Sequence, residues 1–277
     1  MGSKRGIAVA IVAALLIVIA LVFAIGYYAG RSRSAGQGNT TENTEPETEI
    51  STVDELLDTV TAAEPVSRPA QWYGAYESSG DIERDIDLAG FENRCSDVYA
   101  FIEIPGTGIE EPVAYCEDAV DPFWFSHDID GNPSDKGMII TDSLNGKDFS
   151  DPVTLIYGKN PDDGTMFTGL AAFHDPDFFK THDRVNIYLS EAELTYRIYA
   201  CYIGSSDHIM KDYDFNDPAA FNKYYDSIAD IRDLAMNIRE DAKPQPGDHA
   251  IVLITHCGDE SKRLFVHAVL DEVRWGK

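Results

Sequence analysis

Basic residues are scarce in this chain. Of its 277 residues, 22 are Lys or Arg and 48 are Asp or Glu, a formal net charge of −26 at pH 7. Lys4, Arg5, Arg31 and Arg33 are the only charged residues before position 42. The 22 basic residues less these four leave 18 for everything downstream. A surface so acidic lacks the positive footprint that phosphate backbones demand, which argues against a nucleic-acid partner. Its plain consequence is a well-solvated exterior. Metal-ligand spacing is also missing. The four cysteines, Cys95, Cys116, Cys201 and Cys257, form no CxxC pair and no zinc-type pattern. No metal and no cofactor is expected. Cys95, Cys116 and Cys201 read as small buried hydrophobes. A disulfide is open to an extracellular chain, but spacing assigns no pairing. No internal repeat is visible.

What the chain has in quantity is apolar residues, 44% of the total, enough for a sizeable core. Residues Ile7 to Tyr28 form an uncharged apolar run. A helix of about 20 such residues crosses a bilayer. Lys4 and Arg5 precede the run, which weakly favours an internal N-terminus. Gly26-Tyr-Tyr-Ala-Gly30 is a poor cleavage site, so the run reads as an uncleaved signal anchor. The expected organisation is a cytoplasmic N-terminus at 1–6, a transmembrane segment at 7–28 and a disordered stalk at 29–65. A folded domain follows at 66–277, outside the cell membrane. The stalk is rich in Ser, Thr, Glu, Gly and Asn and cannot bury enough surface to order itself.

Folding signals begin near Trp72. Phe91 to Val98 looks helical, and Tyr99-Ala-Phe-Ile-Glu-Ile104 alternates like a strand. Further strands are expected at Glu111–Tyr115, Gly137–Thr141, Val153–Tyr157, Arg184–Leu189 and Leu194–Ile203. Many short strands with turn punctuation suggest a barrel or sandwich. One late helix interrupts them. Asp217 can cap it and Pro218 suits its first turn. Phe221, Tyr224, Ile228, Ile231 and Ala235 then recur on one face. A final hairpin, Ala250–His256 and Arg263–Leu270, completes the set.

Three segments and this hairpin resemble the class B sortases, Gram-positive transpeptidases that anchor proteins to the cell wall. Ser96-Asp-Val-Tyr-Ala-Phe-Ile-Glu-Ile-Pro-Gly106 resembles the entry helix and first strand of that class. Phe123-Trp-Phe-Ser-His-Asp-Ile-Asp-Gly131 resembles a loop with an Asn-His-Asp-like step, and Thr154 to Phe167 resembles a Tyr-Gly-His-Asn…Asp-Gly-Thr-Met-Phe segment. The resemblance spans about 90–273. It implies a mostly β fold: a closed, sortase-like antiparallel or mixed β-barrel with peripheral helices, one of them between the sixth and seventh strands. It also implies a cysteine that forms a thioacyl intermediate, a histidine that moves protons, and an arginine that steadies the oxyanion or the peptide. The implied partners are a sorting-signal peptide and, if the protein is active, an amine acceptor from a cell-wall peptide or a pilin lysine.

Arg263 maps onto the family arginine, because Arg263-Leu-Phe-Val-His-Ala268 matches the strand that follows it. The other two positions depart. Lys159 stands where the family has its histidine, in Tyr157-Gly-Lys-Asn160. A lysine serves as a base only when burial lowers its pKa. Aligned without a gap from Asp248, Leu253 and Thr255 match the family strand and His256 falls on the cysteine position. One inserted residue, as a bulge, would instead return Cys257 to the site. Because side chains alternate along a strand, these registers turn Cys257 to opposite faces. The ungapped register is preferred and the other stays open. His127 is the best replacement for the missing base among the remaining histidines. Two functions are therefore carried forward: a cysteine transpeptidase using Cys257 and Arg263, and a degenerate sortase fold that binds a peptide or partner. A structural component of a surface assembly is a weaker third. Whether the chain is an enzyme is left open.

Overall fold

The computed structural model describes residues 72–275 apart from positions 83, 85 and 118–121. The expected membrane anchor at 7–28 and stalk at 29–65 lie outside the described residues, within which no helix is long and apolar enough to cross a membrane.

Nine strands form one sheet. They are β1 (Val98–Ile104), β2 (Ile109–Tyr115), β3 (Ile139–Thr141), β4 (Val153–Tyr157), β5 (Arg184–Tyr188), β6 (Ala192–Ser205), β7 (Asn237–Ile238), β8 (Ala250–His256) and β9 (Lys262–Trp275). The order β5-β1-β2-β3-β4-β8-β9-β6 closes on itself through β5–β6 pairing, and β7 adds to the outer edge of β6. The result is an eight-stranded closed barrel of mixed direction. Pairs β2–β3 and β4–β8 are parallel and the rest antiparallel. Closure leaves no barrel strand with an open hydrogen-bonding edge.

Alternation along the strands decides which residues fill the barrel. Ile102, Val113, Ile139, Ile156, Ile187, Leu194, Leu253 and Val266 come from eight different strands and share one buried cluster. Only the interior brings all eight strands to one place. On β8 the odd positions Ile251 and Leu253 point inward, while Ala250, Val252 and Ile254 join a second cluster outside. That outer cluster is covered by helix α4 (Pro218–Ile228) through Phe221, Tyr224, Tyr225 and Ile228.

Among the described residues three shorter α-helices precede α4: α1 (Leu88–Arg94), α2 (Pro176–Thr181) and α3 (Ile209–Asp212). The expected helix over Phe91–Val98 begins and ends earlier. Asp87 caps it by accepting from Gly90 N at 2.9 Å, Cys95 is already extended, and Val98 opens β1. The late helix starts as expected, with the Asp217 side chain accepting from Ala219 N and Pro218 in its first turn. It stops at Ile228, short of Ile231 and Ala235. Asp233 accounts for the difference: its carboxylate accepts from Ile203 N on β6 at 2.7 Å and from Ala235 N at 3.1 Å. These bonds hold the segment against the barrel as a loop. Strand β3 starts two residues later than expected, because Gly137 has φ +61° and packs so tightly on the Phe125 carbonyl that a Cβ would overlap it.

Candidate functional site

The site sits where three strand ends meet. Parallel pairing of β4 and β8 runs through Tyr157 and Ile254, and Gly158 N then donates to Ile254 O at 3.2 Å. Gly158 is needed there, since a Cβ would lie 2.6 Å from the Phe167 ring. Lys159 and Asn160 follow directly. Asn160 Nδ2 donates to His256 O at 3.1 Å, tying the two segments together. Across the hairpin, His256 pairs with Arg263 as the last rung of β8–β9. The loop between them turns through Gly258, with φ +89°, and is held by Asp259, which accepts from Ser261 N and Oγ.

Lys159, His256 and Arg263 thus line one cleft of about 350 Å³, with Phe125, Asp135 and Tyr157 among its walls. The Lys159 ammonium donates to Asp135 O at 2.8 Å and lies 5.3 Å from the centre of the Phe125 ring. Arg263 Nη1 donates to the carbonyls of Glu260 and Lys262, at 3.1 and 2.7 Å. His256 Nδ1 accepts from Gly258 N at 3.2 Å. In the neutral ring the proton therefore sits on Nε2, so the imidazole offers a donor there rather than a lone pair.

Cys257 is placed differently. Pairing of β8 with β4 and with β9 runs residue by residue through Tyr157↔Ile254 and His256↔Arg263, without a bulge. Its half-buried side chain packs against the cluster that fills the barrel, following Ile251 and Leu253, and it is not among the cleft residues. Cys95, Cys116 and Cys201 are buried, and all four thiols are free. Burial first, and then the Asp233 carboxylate, push the Cys201 thiol well above its ordinary pKa. His127 stacks on the Phe123 ring at 3.8 Å and shares Nδ1 with Phe123 O at 2.9 Å. It does not line the cleft. Among the described residues no group of three His, Cys, Asp or Glu is arranged to hold a metal ion.

An adjoining pocket of about 220 Å³ shares Phe125 and Tyr157 with the cleft and is walled by Cys116, Pro122 and Ile140. At its base Asp142, 6% exposed, accepts from Tyr157 Oη at 3.0 Å, His208 Nε2 at 2.8 Å and Leu144 N at 2.9 Å. Burial, and after it the Asp142 charge, hold the Tyr157 phenol far above its ordinary pKa, so it stays a donor. This triad escapes the sequence. Its members lie 15 and 66 residues from Asp142, and no local pattern joins them.

No family model matches the chain. Sortase B of Listeria monocytogenes is 23% identical over 174 residues, covering 63% of this chain and 68% of that one. The crystal structure of Clostridium perfringens sortase B superposes with a TM-score of 0.59 at 24% identity, over 66% of this chain and 99% of that one. A Staphylococcus aureus sortase B–substrate complex gives a TM-score of 0.58 at 21% identity, over 67% of this chain and 84% of that one. The barrel therefore has the sortase fold. The proteins it is similar to are B-type sortases, the class that its segments and terminal hairpin resemble.

Proposed function

We propose that this chain is a surface-tethered, sortase-like binding protein that holds a peptide in the cleft between β4, β8 and β9 without using Cys257 as a nucleophile. One observation carries the reading: His256, not Cys257, shares the cleft with Lys159 and Arg263. Thioacyl chemistry needs a thiolate facing the peptide carbonyl and a group to move its proton. The described cleft is lined by the donors of Lys159, His256 and Arg263 among others, and by no sulfur. The apolar run at 7–28 serves as the membrane anchor, and the segment 29–65 as the stalk that holds the barrel outside the cell. Protease added to intact cells should remove the barrel; full protection contradicts this topology.

The competing reading is a transpeptidase. The similarity to sortase B and to a sortase B–substrate complex favours it. In that reading Cys257 Sγ attacks the peptide carbonyl, Arg263 holds the oxyanion, and the released amine leaves with a proton delivered by Lys159. An incoming amine then displaces the thiol. One experiment separates the two readings. The full-length chain in detergent is incubated with a sorting-signal peptide and an amine acceptor, then examined by mass spectrometry. Binding with no acyl adduct on Cys257 and no ligated product supports the binding protein. An acyl group on Cys257 overturns it.

A further inference from the structure

We infer that the cleft at Lys159, His256 and Arg263 recognises a free carboxylate, the C-terminus of a peptide whose preceding side chain is apolar. The inference rests on the binding-protein reading above and specifies its ligand. It begins with what the three groups lack. His256 Nε2 is closed off from solvent and has no hydrogen-bond partner. Since Nδ1 accepts from Gly258 N, that nitrogen carries a proton and seeks an acceptor. The nearest carboxylate oxygen, on Glu260, is 3.6 Å away on a side chain that is 94% exposed. That is beyond hydrogen-bond reach.

Arg263 engages only Nη1, and only with backbone carbonyls. Its Nε and Nη2 edge, the fork that fits a carboxylate with two parallel bonds, is uncommitted. Lys159 likewise donates to a carbonyl, not to an acid. Arg239 likewise donates to the carbonyls of Ile198 and Phe179, while other cations of the chain do reach acids. Arg84, Arg94, Arg184, Arg197 and Arg274 each hold a carboxylate. Lys136, near the cleft, holds Asp163 at 2.5 Å. With 48 acidic residues available, three donors around one cleft are left facing it without one. A buried donor without an acceptor is costly, and a bound anion removes that cost.

Geometry selects the peptide terminus over a loose anion. The adjoining pocket opens across the shared walls of Phe125 and Tyr157 and is lined by Cys116, Pro122 and Ile140. Its one buried acid, Asp142, is saturated by three donors from the chain itself. It is therefore suited to an apolar side chain. A terminal carboxylate on the three donors places the side chain before it at that pocket.

The test uses the full-length chain in detergent and isothermal titration with one N-acetylated hexapeptide that has leucine next to its last residue. The probes are its free acid, its C-terminal amide, the amide carrying an internal glutamate, and inorganic phosphate. The free acid should bind roughly tenfold or more tightly than either amide, the weight of one or two charge-assisted bonds. Phosphate should compete only weakly. His256→Ala, Lys159→Ala and Arg263→Lys should each reduce the preference for acid over amide. Using three variants guards against one that fails to fold. Equal binding of acid and amide, equal binding of the glutamate amide, or equal competition by phosphate overturns the inference, while the binding-protein reading survives. An acyl adduct on Cys257 would remove that reading and this one with it. No binding of any probe also overturns the inference.

Discussion

The two adjoining pockets share the Phe125 wall and the Tyr157 end of β4, yet they have solved opposite problems. Around Asp142 a buried acid has collected every donor in reach: a phenol, an imidazole and a backbone amide. Around His256 the donors have collected only carbonyls, and one of them has collected nothing. Tyr157 stands between, its backbone ending β4 beside the cleft and its hydroxyl committed to Asp142. The same chemistry, histidine beside tyrosine, is thus structural on one side and available on the other. What separates them is satisfaction. The Asp142 carboxylate is satisfied by donors of the chain itself, although His208 Nδ1 has no partner, whereas the donors beside His256 face a cleft without an acid.

The largest effect expected is a gain of chemistry. If His256 occupies the nucleophile position, Lys159→His alone restores nothing, because no thiol faces the cleft. The double variant His256→Cys, Lys159→His places a thiol and an imidazole on neighbouring strand ends. We predict transpeptidation of a sorting-signal peptide on the order of 100-fold above either single variant, the scale of general acid–base catalysis. Ligated product measured by mass spectrometry decides it. Turnover by Lys159→His alone would show that Cys257 already works and would erase the contrast between the pockets.

Much of this is legible in the sequence. The strand train, the capped helix at Asp217 and the terminal hairpin follow from periodicity and turn residues, which act locally. Barrel closure through β5–β6 does not, because pairing partners are set by tertiary contacts. The departures at Lys159 and His256 could be read from residue identity. Their convergence needed the β4–β8 register, a parallel pairing across nearly one hundred residues of chain. The late helix ended early because Asp233 found Ile203 N, a bond with no sequence signature. Asp142 with Tyr157 and His208 was invisible for the same reason.

A third histidine extends the comparison to the core. His267 is fully buried beneath α4, its Nε2 sharing a hydrogen bond with Tyr202 Oη at 3.0 Å. It has neither the acid that His208 holds nor a cleft to face. Burial alone lowers its pKa from 6.5 to about 3. The folded state therefore disfavours the proton, and the unfolded state binds it more readily. The stability this histidine permits is full above the unfolded value of 6.5 and is lost as pH falls toward 3. By pH 4 the loss is roughly 3 kcal/mol. His267→Gln, which does not titrate in this range, should flatten the acid limb of a urea-unfolding series. Identical slopes for the two proteins would remove His267 as the cause.

Asp142 offers a smaller effect with a sharper contrast. Asp142→Ala leaves Tyr157 Oη, His208 Nε2 and Leu144 N without their acceptor in a buried place. We expect a loss of about 1–3 kcal/mol in urea unfolding. The preference of the neighbouring cleft for a free peptide terminus over its amide should remain. If that preference disappears together with the stability, the two pockets form one polar network and the division between them fails.

The smallest expected effect is none, and it tests the placement of the thiol most directly. Cys257 is half-buried while Cys95, Cys116 and Cys201 are buried, so alkylation of the folded chain should reach Cys257 first. A thiol becomes reactive when a nearby cation stabilises its thiolate. Arg263 and Lys159 are the cations of the cleft, and Cys257 packs instead on the cluster that fills the barrel. Arg263→Ala and Lys159→Ala should therefore leave its labelling rate unchanged across pH. A rate that is high at low pH in the wild type and falls with Arg263→Ala would place the sulfur within the arginine's field. The cleft would then hold a nucleophile as well as donors, and the chain would regain the machinery of a transpeptidase.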